Sequence, residues 1–474
     1  VILPLLLLAF AAGAQSNLAN VVNEVQGETA FRHASLAVSV YNISKQQTIF
    51  EHDAQRSLSP ASLNKLFTTA VGFEKLGADF RFTTTLAYSG NIDSEGTLHG
   101  NIYIIGGGDP LLGSYRFRQT VPDSVFASWT KAIASQGIKS VAGRVCYDAT
   151  IFDDQPLHDS WQWGDIGNYY SSGVCGLNFH ENMYFLYFNP SDRLGHPAEI
   201  ASTEPRNLDV RHHSEVVTGA ANTGDQVIVY GAPNSHDRYC RGSVPMGSPR
   251  FSIRASMPNP AETCATLFAT YLRNHGVHVV GSVCEAYSKQ SDLKPIIDYN
   301  SNTYYVVAQY TNLTSNNMYA ESIFKYLGYK LYGRGSYQNG AKAITDFFKV
   351  HGLESTGVRV VDGSGLSRLN RVTADFVCRF LTEVSHMPIY NDFSMSLGKI
   401  GESGTVRNML KDLPADVDMR VKSGSMDDVV GYAGYVATPK GDLLCFTLVT
   451  NGFDCTGRQA KQKMERIIYE IAKL

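Results

Sequence analysis

Beyond its first residues, the sequence lacks any long apolar run. No later stretch approaches the twenty or so apolar residues that a membrane-spanning helix needs. It also lacks an excess of either charge, since 41 basic and 44 acidic residues give a formal net charge of -3 without a basic block. The electrostatic footprint of a nucleic-acid-binding protein is therefore absent. We expect neither a nucleic-acid partner nor a transmembrane anchor.

Several familiar site motifs are missing as well. The eight cysteines include no Cys-x-x-Cys pair, which argues against zinc and thioredoxin-type sites. No Gly-x-Ser-x-Gly elbow marks an α/β-hydrolase nucleophile. The cysteines of an exported protein can pair as disulfides, but the connectivity stays open. Cys445 lies in a strand-like apolar run, where a small buried hydrophobic side chain is the other interpretation.

The N-terminal residues have the composition of an export signal. Residues 1–14 are uncharged and almost wholly apolar, and they end in Ala12-Gly13-Ala14 before polar residues. This pattern is typical of the apolar region and cleavage site of a secretory signal peptide. We therefore predict a signal peptide over 1–14 and an exported mature protein.

The rest of the chain is organised around a serine and a lysine one helical turn apart. Ser62 and Lys65 follow Pro60 and open an apolar helical run. Residues at this spacing share a helix face, so the hydroxyl and the amine can meet. Proline suits a helix start, whose free N–H groups attract developing negative charge. Such a pair can perform acyl transfer without histidine.

The same tetrad occurs four more times, so the Ser62 tetrad alone is weak evidence. At most one tetrad can hold the nucleophile, and a surface serine beside a solvated lysine is the ordinary interpretation of the others. The further tetrads are Ser128 to Lys131, Ser291 to Lys294, Ser322 to Lys325 and Ser396 to Lys399. Two downstream motifs single out Ser62.

The first downstream motif is Ser315-Asn316-Asn317, at a loop before a helix. A hydroxyl and an amide two residues apart can relay a proton and orient a peptide carbonyl. Helix capping is the simpler interpretation of Ser315.

The second downstream motif is Lys422-Ser423-Gly424-Ser425, in a run of strand character. A lysine on an inner strand can anchor a substrate carboxylate, and glycine lets a substrate backbone approach. A hairpin edge with a solvated lysine is the alternative.

In the order Ser-x-x-Lys, Ser-x-Asn, Lys-Ser-Gly, the three motifs resemble the signature of β-lactamases and penicillin-binding proteins. The 253 residues from Ser62 to Ser315 exceed the spacing of compact β-lactamases. The chain therefore resembles the class C low-molecular-mass penicillin-binding proteins, D-alanyl-D-alanine carboxypeptidases and endopeptidases of the DacB type. Further matches are Gly106-Gly107-Gly108-Asp109-Pro110, Trp161-Gln162-Trp163, Asp362-Gly363-Ser364-Gly365-Leu366-Ser367-Arg368 and Gly404-Thr405. Asn316, where aspartate is frequent, and Ser423, in place of the commoner threonine, keep the hydrogen-bonding type.

The resemblance implies an α+β fold: a penicillin-binding transpeptidase/β-lactamase-like domain, with an antiparallel sheet flanked by helices and a large, β-rich, two-domain insertion. We place the serine acyltransferase domain at 20–83 and 293–474. Inserted domain II is placed at 84–107 and 165–292, and nested domain III at 108–164. The helix, turn and strand sequence that ends in Cys146 is echoed by the one that ends in Cys284.

The resemblance also assigns roles. Ser62 is the expected nucleophile and Lys65 its base, with a pKa lowered by burial and by Lys422. Ser315 passes a proton to the leaving amine and Asn317 holds the peptide. Lys422 and Ser423 bind the terminal carboxylate beside Gly424, and the N–H groups of Ser62 and Ser425 bind the oxyanion. No metal or organic cofactor is implied.

The implied function is a periplasmic serine-type D-alanyl-D-alanine carboxypeptidase and endopeptidase of the bacterial cell envelope. Its partners would be peptidoglycan stem peptides, with β-lactam antibiotics as covalent inhibitors. A β-lactamase shares the motifs, although the large insertion argues against it. A non-enzymatic peptidoglycan-binding protein would normally have lost a motif residue, and none is missing here.

Overall fold

The computed structural model describes residues 16–206, 208–287, 292–414 and 417–474. The predicted signal peptide lies outside these ranges. The chain forms two compact units. Unit 1 comprises the described residues up to Phe80 with Tyr304–Asn316 and Tyr337–Leu474, and unit 2 comprises Arg81–Thr303 and Asn317–Ser336.

The described ranges contain ten α-helices, numbered here in chain order. They are α1 (16–27), α2 (Lys65–Leu76), α3 (Pro122–Ser135), α4 (Pro260–Asn274), α5 (Tyr304–Thr314), α6 (Asn317–Tyr332), α7 (Tyr337–Val350), α8 (Ala374–Ser385), α9 (Tyr390–Ser396) and α10 (Gly457–Ile471). None of these helices is long and apolar enough to cross a bilayer.

The same ranges also contain twenty-one strands, numbered in chain order. They are β1 (Ser35–Asn42), β2 (Gln47–His52), β3 (Thr83–Tyr88), β4 (Asn91–Ile92), β5 (Thr97–His99), β6 (Ile102–Ile105), β7 (Ser140–Val141), β8 (Val145–Asp148), β9 (Met183–Asn189), β10 (Glu199–Glu204), β11 (Arg211–Gly219), β12 (Ile228–Tyr230), β13 (Asp237–Pro245), β14 (Phe251–Ser256), β15 (His278–Val279), β16 (Cys284–Glu285), β17 (Lys294–Asn300), β18 (Gly398–Lys399), β19 (Asp418–Met426), β20 (Val429–Ala437) and β21 (Leu443–Asn451).

Unit 1 is built on an antiparallel sheet with the strand order β18-β19-β20-β21-β1-β2. The chain enters the sheet through β1 and β2, the hairpin that the sequence predicted, and Tyr41 faces Thr48 across it. It returns to the sheet only after more than 300 residues, through β18 to β21. Because β21 pairs with β1, the two ends of the chain share one sheet.

Helices α1 and α10 cover one face of this sheet. Helix α10 starts with a reciprocal cap, in which Thr456 and Gln459 each accept a bond from the other's backbone. Its buried residues recur at helical spacing and form one apolar stripe: Ala460, Met464, Ile467, Ile468 and Ile471. This stripe joins the apolar face of α1 and the sheet in one core.

Helix α8 packs against the other face, where the hydroxyl of Tyr435 in β20 donates to the carbonyl of Leu381. Helix α2 packs beside it, because the ring of Phe67 makes edge contacts with Phe376 and Phe380. These aromatic contacts fix the start of α2 relative to the sheet. Cys445 is fully buried in β21, as its apolar surroundings in the sequence suggested.

The described residues of unit 2 are β-rich and form four smaller sheets. Their strand orders are β16-β8-β6-β3-β17, β15-β7-β5-β4, β10-β9-β14 and β11-β13-β12. Helices α3 and α4 contribute Trp129 and Phe268 to an apolar core with the first two of these sheets.

The two echoed segments lie side by side in unit 2. Strands β7 and β15 pair in parallel, as do β8 and β16. Cys146 faces Cys284 in the second pair, and the two form a disulfide. The sequence left this connectivity open, although both cysteines end their segments.

Strand β17 bears on where the insertion ends. It pairs antiparallel with β3 and belongs to unit 2. From the sequence, we had placed 293–474, which includes β17, in the serine acyltransferase domain. Helix α6 also belongs to unit 2. The division of the insertion into domains II and III stays a prediction.

Candidate active site

Ser62 lies on a 3-10 turn, Ala61–Asn64, that leads directly into α2. Ala61 has a φ of +46°, a conformation that few non-glycine residues adopt. Such strained backbone is often found at functional sites. The turn leaves the Ser62 side chain half-buried, whereas Leu63 and Asn64 are buried.

Lys65 begins α2, and its side chain is fully buried. Its Nζ lies 2.8 Å from Ser62 Oγ and 2.7 Å from the backbone oxygen of Ser364. Hydroxyl and amine are therefore in direct hydrogen-bond contact, the arrangement that the spacing predicted.

The loop that supplies Ser364 is held by the buried carboxylate of Asp362. This carboxylate accepts from the backbone N–H groups of Gly365 and Ser367 and from Asn370 Nδ2. Gly365 has a φ of +85°, and a Cβ there would lie 1.9 Å from the oxygen of Ala61. The loop therefore packs directly under the Ser62 turn. The Asp-Gly-Ser-Gly motif of this loop matches the family in sequence, but its role under the Ser62 turn appears only in the tertiary structure.

Lys422 and Ser315 form a second hydroxyl–amine contact in unit 1. Lys422 lies on β19 and is fully buried, so it is not the solvated lysine of a hairpin edge. Its Nζ donates to Ser315 Oγ at 2.9 Å and to the backbone oxygen of Ser423 at 2.6 Å. Ser315 connects α5 to α6 with a φ of +56°.

The two buried lysines influence one another. The pKa of Lys422 lies well below its ordinary value, because burial penalises the ammonium and because Lys65 repels it. This repulsion is mutual, so a state with both amines protonated is disfavoured. The site thus favours the neutral amine of Lys422, which contacts Ser315.

The end of β19 lies beside the Ser62 turn. Strand β18 pairs with Arg420 and Val421, which precede the Lys422-Ser423-Gly424-Ser425 motif at the end of β19. A Cβ on Gly424 would lie 2.8 Å from the oxygen of Pro60, so the close approach of β19 to the turn requires glycine. Ser423 Oγ is 2.7 Å from Thr405 Oγ1, and Ser425 is exposed. Thr405 belongs to the Gly404-Thr405 match, and its pairing with Ser423 needs the tertiary fold.

Asn317 is the first residue of α6, in unit 2. Its Nδ2 donates to the backbone oxygen of Tyr170 at 2.7 Å. Asn317 follows Ser315 by two residues in the chain. Unit 1 contains the other predicted catalytic residues, which are Ser62, Lys65, Ser315 and Lys422.

The other tetrads have different surroundings. Ser322 is buried and donates to the oxygen of Gly108, and Lys325 pairs with Asp153 at 2.6 Å. Ser396 is buried and donates to the oxygen of Phe393. Lys131 is exposed on α3, and Ser291 lies outside the described residues. Within the described ranges, no group of three or more His, Cys, Asp and Glu side chains could hold a metal ion.

Comparison with known proteins shows extended similarity. The chain is 29% identical over 462 residues to a D-alanyl-D-alanine carboxypeptidase of Actinomadura sp. (strain R39), covering 94% of this chain and 83% of the relative. It is 22% identical over 439 residues to D-alanyl-D-alanine carboxypeptidase DacB of Haemophilus influenzae, covering 90% and 87%.

Solved structures give the same result. The crystal structure of penicillin-binding protein 4 (dacB) from Haemophilus influenzae superposes with a TM-score of 0.82 at 21% identity, covering 96% of this chain and 99% of that one. It was also solved in complex with a novel β-lactam. A predatory peptidoglycan endopeptidase from Bdellovibrio bacteriovorus superposes with a TM-score of 0.51 at 13% identity, covering 93% and 92%. The predicted α+β fold is confirmed.

A family model matches nearly all of the described chain. It is that of the D-Ala-D-Ala carboxypeptidase 3 (S13) family, and it covers residues 17–473. Together with the carboxypeptidase relatives, this match confirms the predicted resemblance and the prediction of a serine peptidase. The chain belongs to the D-Ala-D-Ala carboxypeptidase 3 (S13) family.

Proposed function

We propose that the protein cleaves peptidoglycan stem peptides as a carboxypeptidase and an endopeptidase, through an acyl-enzyme on Ser62 that penicillin also forms. The observation that carries this proposal is the 2.8 Å contact between Ser62 Oγ and Lys65 Nζ. It places a hydroxyl within reach of an amine at a site that disfavours two ammonium groups.

Acylation begins when Ser62 Oγ attacks the carbonyl carbon between the two terminal D-alanines. Lys65 Nζ takes the hydroxyl proton as the new C–O bond forms. The backbone N–H groups of Ser62 and Ser425 then hold the negative oxygen of the tetrahedral intermediate. The close approach of Gly424 to the Ser62 turn supports this pairing of the two backbones.

The intermediate collapses when the C–N bond breaks and the leaving amine gains a proton. Ser315 relays this proton, and the Lys422 amine 2.9 Å from its hydroxyl stabilises the relay. Water then attacks the ester and releases Ser62. Asn317 holds the peptide side chain.

Lys422 and Ser423 bind the terminal carboxylate of a carboxypeptidase substrate. An arriving carboxylate supplies negative charge that favours the protonated form of Lys422, so binding and proton uptake are coupled. The contact of Ser423 with Thr405 orients its hydroxyl.

The site of action that fits this chemistry is the bacterial periplasm. The apolar residues 1–14 support export. The Cys146–Cys284 disulfide supports an oxidising compartment, because disulfides rarely persist in a reducing cytosol.

Benzylpenicillin tests the proposal directly. The protein is incubated with the antibiotic, and its intact mass is followed over many minutes. We expect one long-lived adduct of intact penicillin, which peptide mapping places on the peptide containing Ser62. The Ser62→Ala variant should show no adduct.

The same experiment separates the alternatives. Rapid consumption of penicillin without a trapped adduct would indicate a β-lactamase. A correctly folded protein without adduct or peptide cleavage would indicate a binding protein. A stable label on another serine would show that the nucleophile is misassigned.

A further inference from the structure

Unit 2 contains a cavity whose lining belongs entirely to that unit. Its volume is about 590 Å³, within the range of small-molecule sites. The walls come from the loop that follows β8, the segment between β12 and β13, and the start of α4. Ser62, Lys65, Ser315 and Lys422 are not among the lining residues.

One wall carries a buried cation. Arg238 is only 2% exposed, and it forms no ion pair with any described residue, since neighbouring Asp237 pairs with Arg211. Its guanidinium donates four hydrogen bonds to the backbone oxygens of Ser235, Asp237 and Ser256. These bonds use four of its five N–H groups.

A buried guanidinium without a carboxylate partner is costly, because carbonyl dipoles replace lost water but do not neutralise the charge. A ligand carboxylate would neutralise it and accept the one N–H group that is not already donated. The cavity wall at Arg238 therefore favours an anionic group.

Carboxylates also line the cavity. Asp153 is already paired with Lys325, but Asp154 and Glu285 are exposed and form no ion pair with the described residues. The Tyr147 hydroxyl contacts Glu285 at 3.4 Å. Two acidic side chains at an accessible surface favour a ligand ammonium.

Apolar side chains that are at least partly exposed complete the lining, among them Leu157, Ile166 and Pro233. A fully polar ligand would leave these surfaces without a partner, whereas aliphatic peptide side chains would cover them. The cavity therefore combines a buried cation, accessible carboxylates and apolar surface.

We propose that this cavity is a second peptide-binding site, which takes a short zwitterionic peptide with its carboxylate at Arg238 and its ammonium at Asp154 and Glu285. The choice of a peptide rests on the proposed function, since stem peptides carry carboxylates, an ammonium and alanine side chains. By binding a stem peptide, this site would keep the enzyme attached to peptidoglycan.

The test uses a synthetic tripeptide with free ends and a diazirine on its central side chain. After irradiation of the full-length protein, mass spectrometry identifies the cross-linked residues. We expect cross-links on peptides containing Asp154 or Met257. Amidating the C-terminus or acetylating the N-terminus removes one charge and should weaken binding about ten- to a hundredfold.

Four variants separate the parts of the site. Ala232 is exposed and lines the cavity, so Ala232→Trp should block it with little effect on folding. Asp154→Asn should weaken binding of the free peptide but not of the acetylated one. Arg238→Gln should remove the preference for a free carboxylate. Arg241→Gln is the matched control, because Arg241 lies on the same strand but outside the cavity.

Thermal unfolding checks that each variant is folded. If Arg238→Gln does not fold, Ala232→Trp and Asp154→Asn still decide the question. Cross-linking unchanged in both would overturn the proposal, as would equal affinity for free and amidated peptides. Competition by a neutral N-acetylglucosamine disaccharide would overturn it by identifying a sugar site.

The proposed function fails independently of this site. Cross-links confined to peptides around Ser62 would overturn the second site and leave the catalytic proposal intact. Cross-links in the cavity without a penicillin adduct on Ser62 would support the second peptide-binding site. They would also show that the assignment of Ser62 as the nucleophile is wrong.

Discussion

Each unit contains a Ser-x-x-Lys tetrad with a fully buried lysine, and the two tetrads have opposite surroundings. In unit 1, Lys65 Nζ contacts the hydroxyl of Ser62, which is half-buried. In unit 2, Ser322 is buried and donates to a backbone oxygen, while Lys325 pairs with the carboxylate of Asp153.

The difference lies in which groups face the lysine. Lys65 lies near a second buried amine, that of Lys422, whose pKa is lowered by burial and by repulsion from Lys65. Burial lowers the pKa of Lys325, but Asp153 opposes this effect and stabilises the ammonium. The same four-residue spacing thus places the lysine against a hydroxyl in unit 1 and against a carboxylate in unit 2.

The largest expected effect is a difference in penicillin acylation rate between variants of the two buried lysines. Lys65→Ala should slow penicillin acylation roughly 10²- to 10⁴-fold, the usual contribution of a general base. Lys325→Ala should leave the acylation rate of the folded protein nearly unchanged. Stopped-flow or mass-spectrometric rates measure both. Near wild-type acylation in Lys65→Ala would remove Lys65 from its proposed role.

The second prediction concerns the free energy of unfolding, for which Lys325 is expected to matter. Lys325→Met leaves the Asp153 carboxylate buried without its partner, which should cost about 3–5 kcal/mol of unfolding free energy. The double variant Asp153→Asn/Lys325→Met should recover much of this loss. Denaturant unfolding provides the measurement. A Lys325→Met protein as stable as wild type would show that the Lys325–Asp153 ion pair does not stabilise the fold.

The third prediction concerns the loop that supports Ser62. Gly365→Ala combines a φ of +85° with a Cβ placed 1.9 Å from the Ala61 oxygen, so the Ser62 turn must shift. We expect acylation to fall at least tenfold and stability to fall by about 1–3 kcal/mol.

Gly352→Ala is the matched control for this substitution. Its φ is +65°, but a Cβ there meets no atom within 4 Å. It should lose about 1 kcal/mol of stability and no acylation. Equal acylation in the two alanine variants would show that the loop does not position Ser62.

The smallest expected effect is a pH dependence of stability. The folded pKa of Lys422 lies below its ordinary 10.5, so between these two values the unfolded chain binds more protons than the folded one. Stability should therefore fall as the pH falls through this window, by at most about 1.4 kcal/mol per unit. Lys422→Met should remove this slope.

Lys349→Met, at a lysine side chain that is 76% exposed, is the control and should keep the slope. The measurement is the free energy of unfolding from denaturant titrations across the window. The same slope in wild type and Lys422→Met would contradict the assignment of this titration to Lys422.

The sequence predicted the elements that local pattern controls. The alternation of β1 and β2 and the apolar spacing of α2 are properties of neighbouring residues, and the structure has both. The order and spacing of the three motifs predicted the family. The Cys146–Cys284 pairing did not follow, because two short parallel strands 138 residues apart bring these cysteines together.

By itself, the sequence determined the helix that follows Ser62, the large separation of its motifs and the family that shares them, but not the 3-10 turn on which Ser62 lies. Only the tertiary structure decided which tetrad places an amine against an accessible hydroxyl. It buried Lys422 beside Lys65 and set Ser364 and Gly365 against the Ser62 turn. The physical reason is that spacing fixes only the helix face that two residues share, whereas burial, nearby charges and backbone contacts come from segments about 300 residues away.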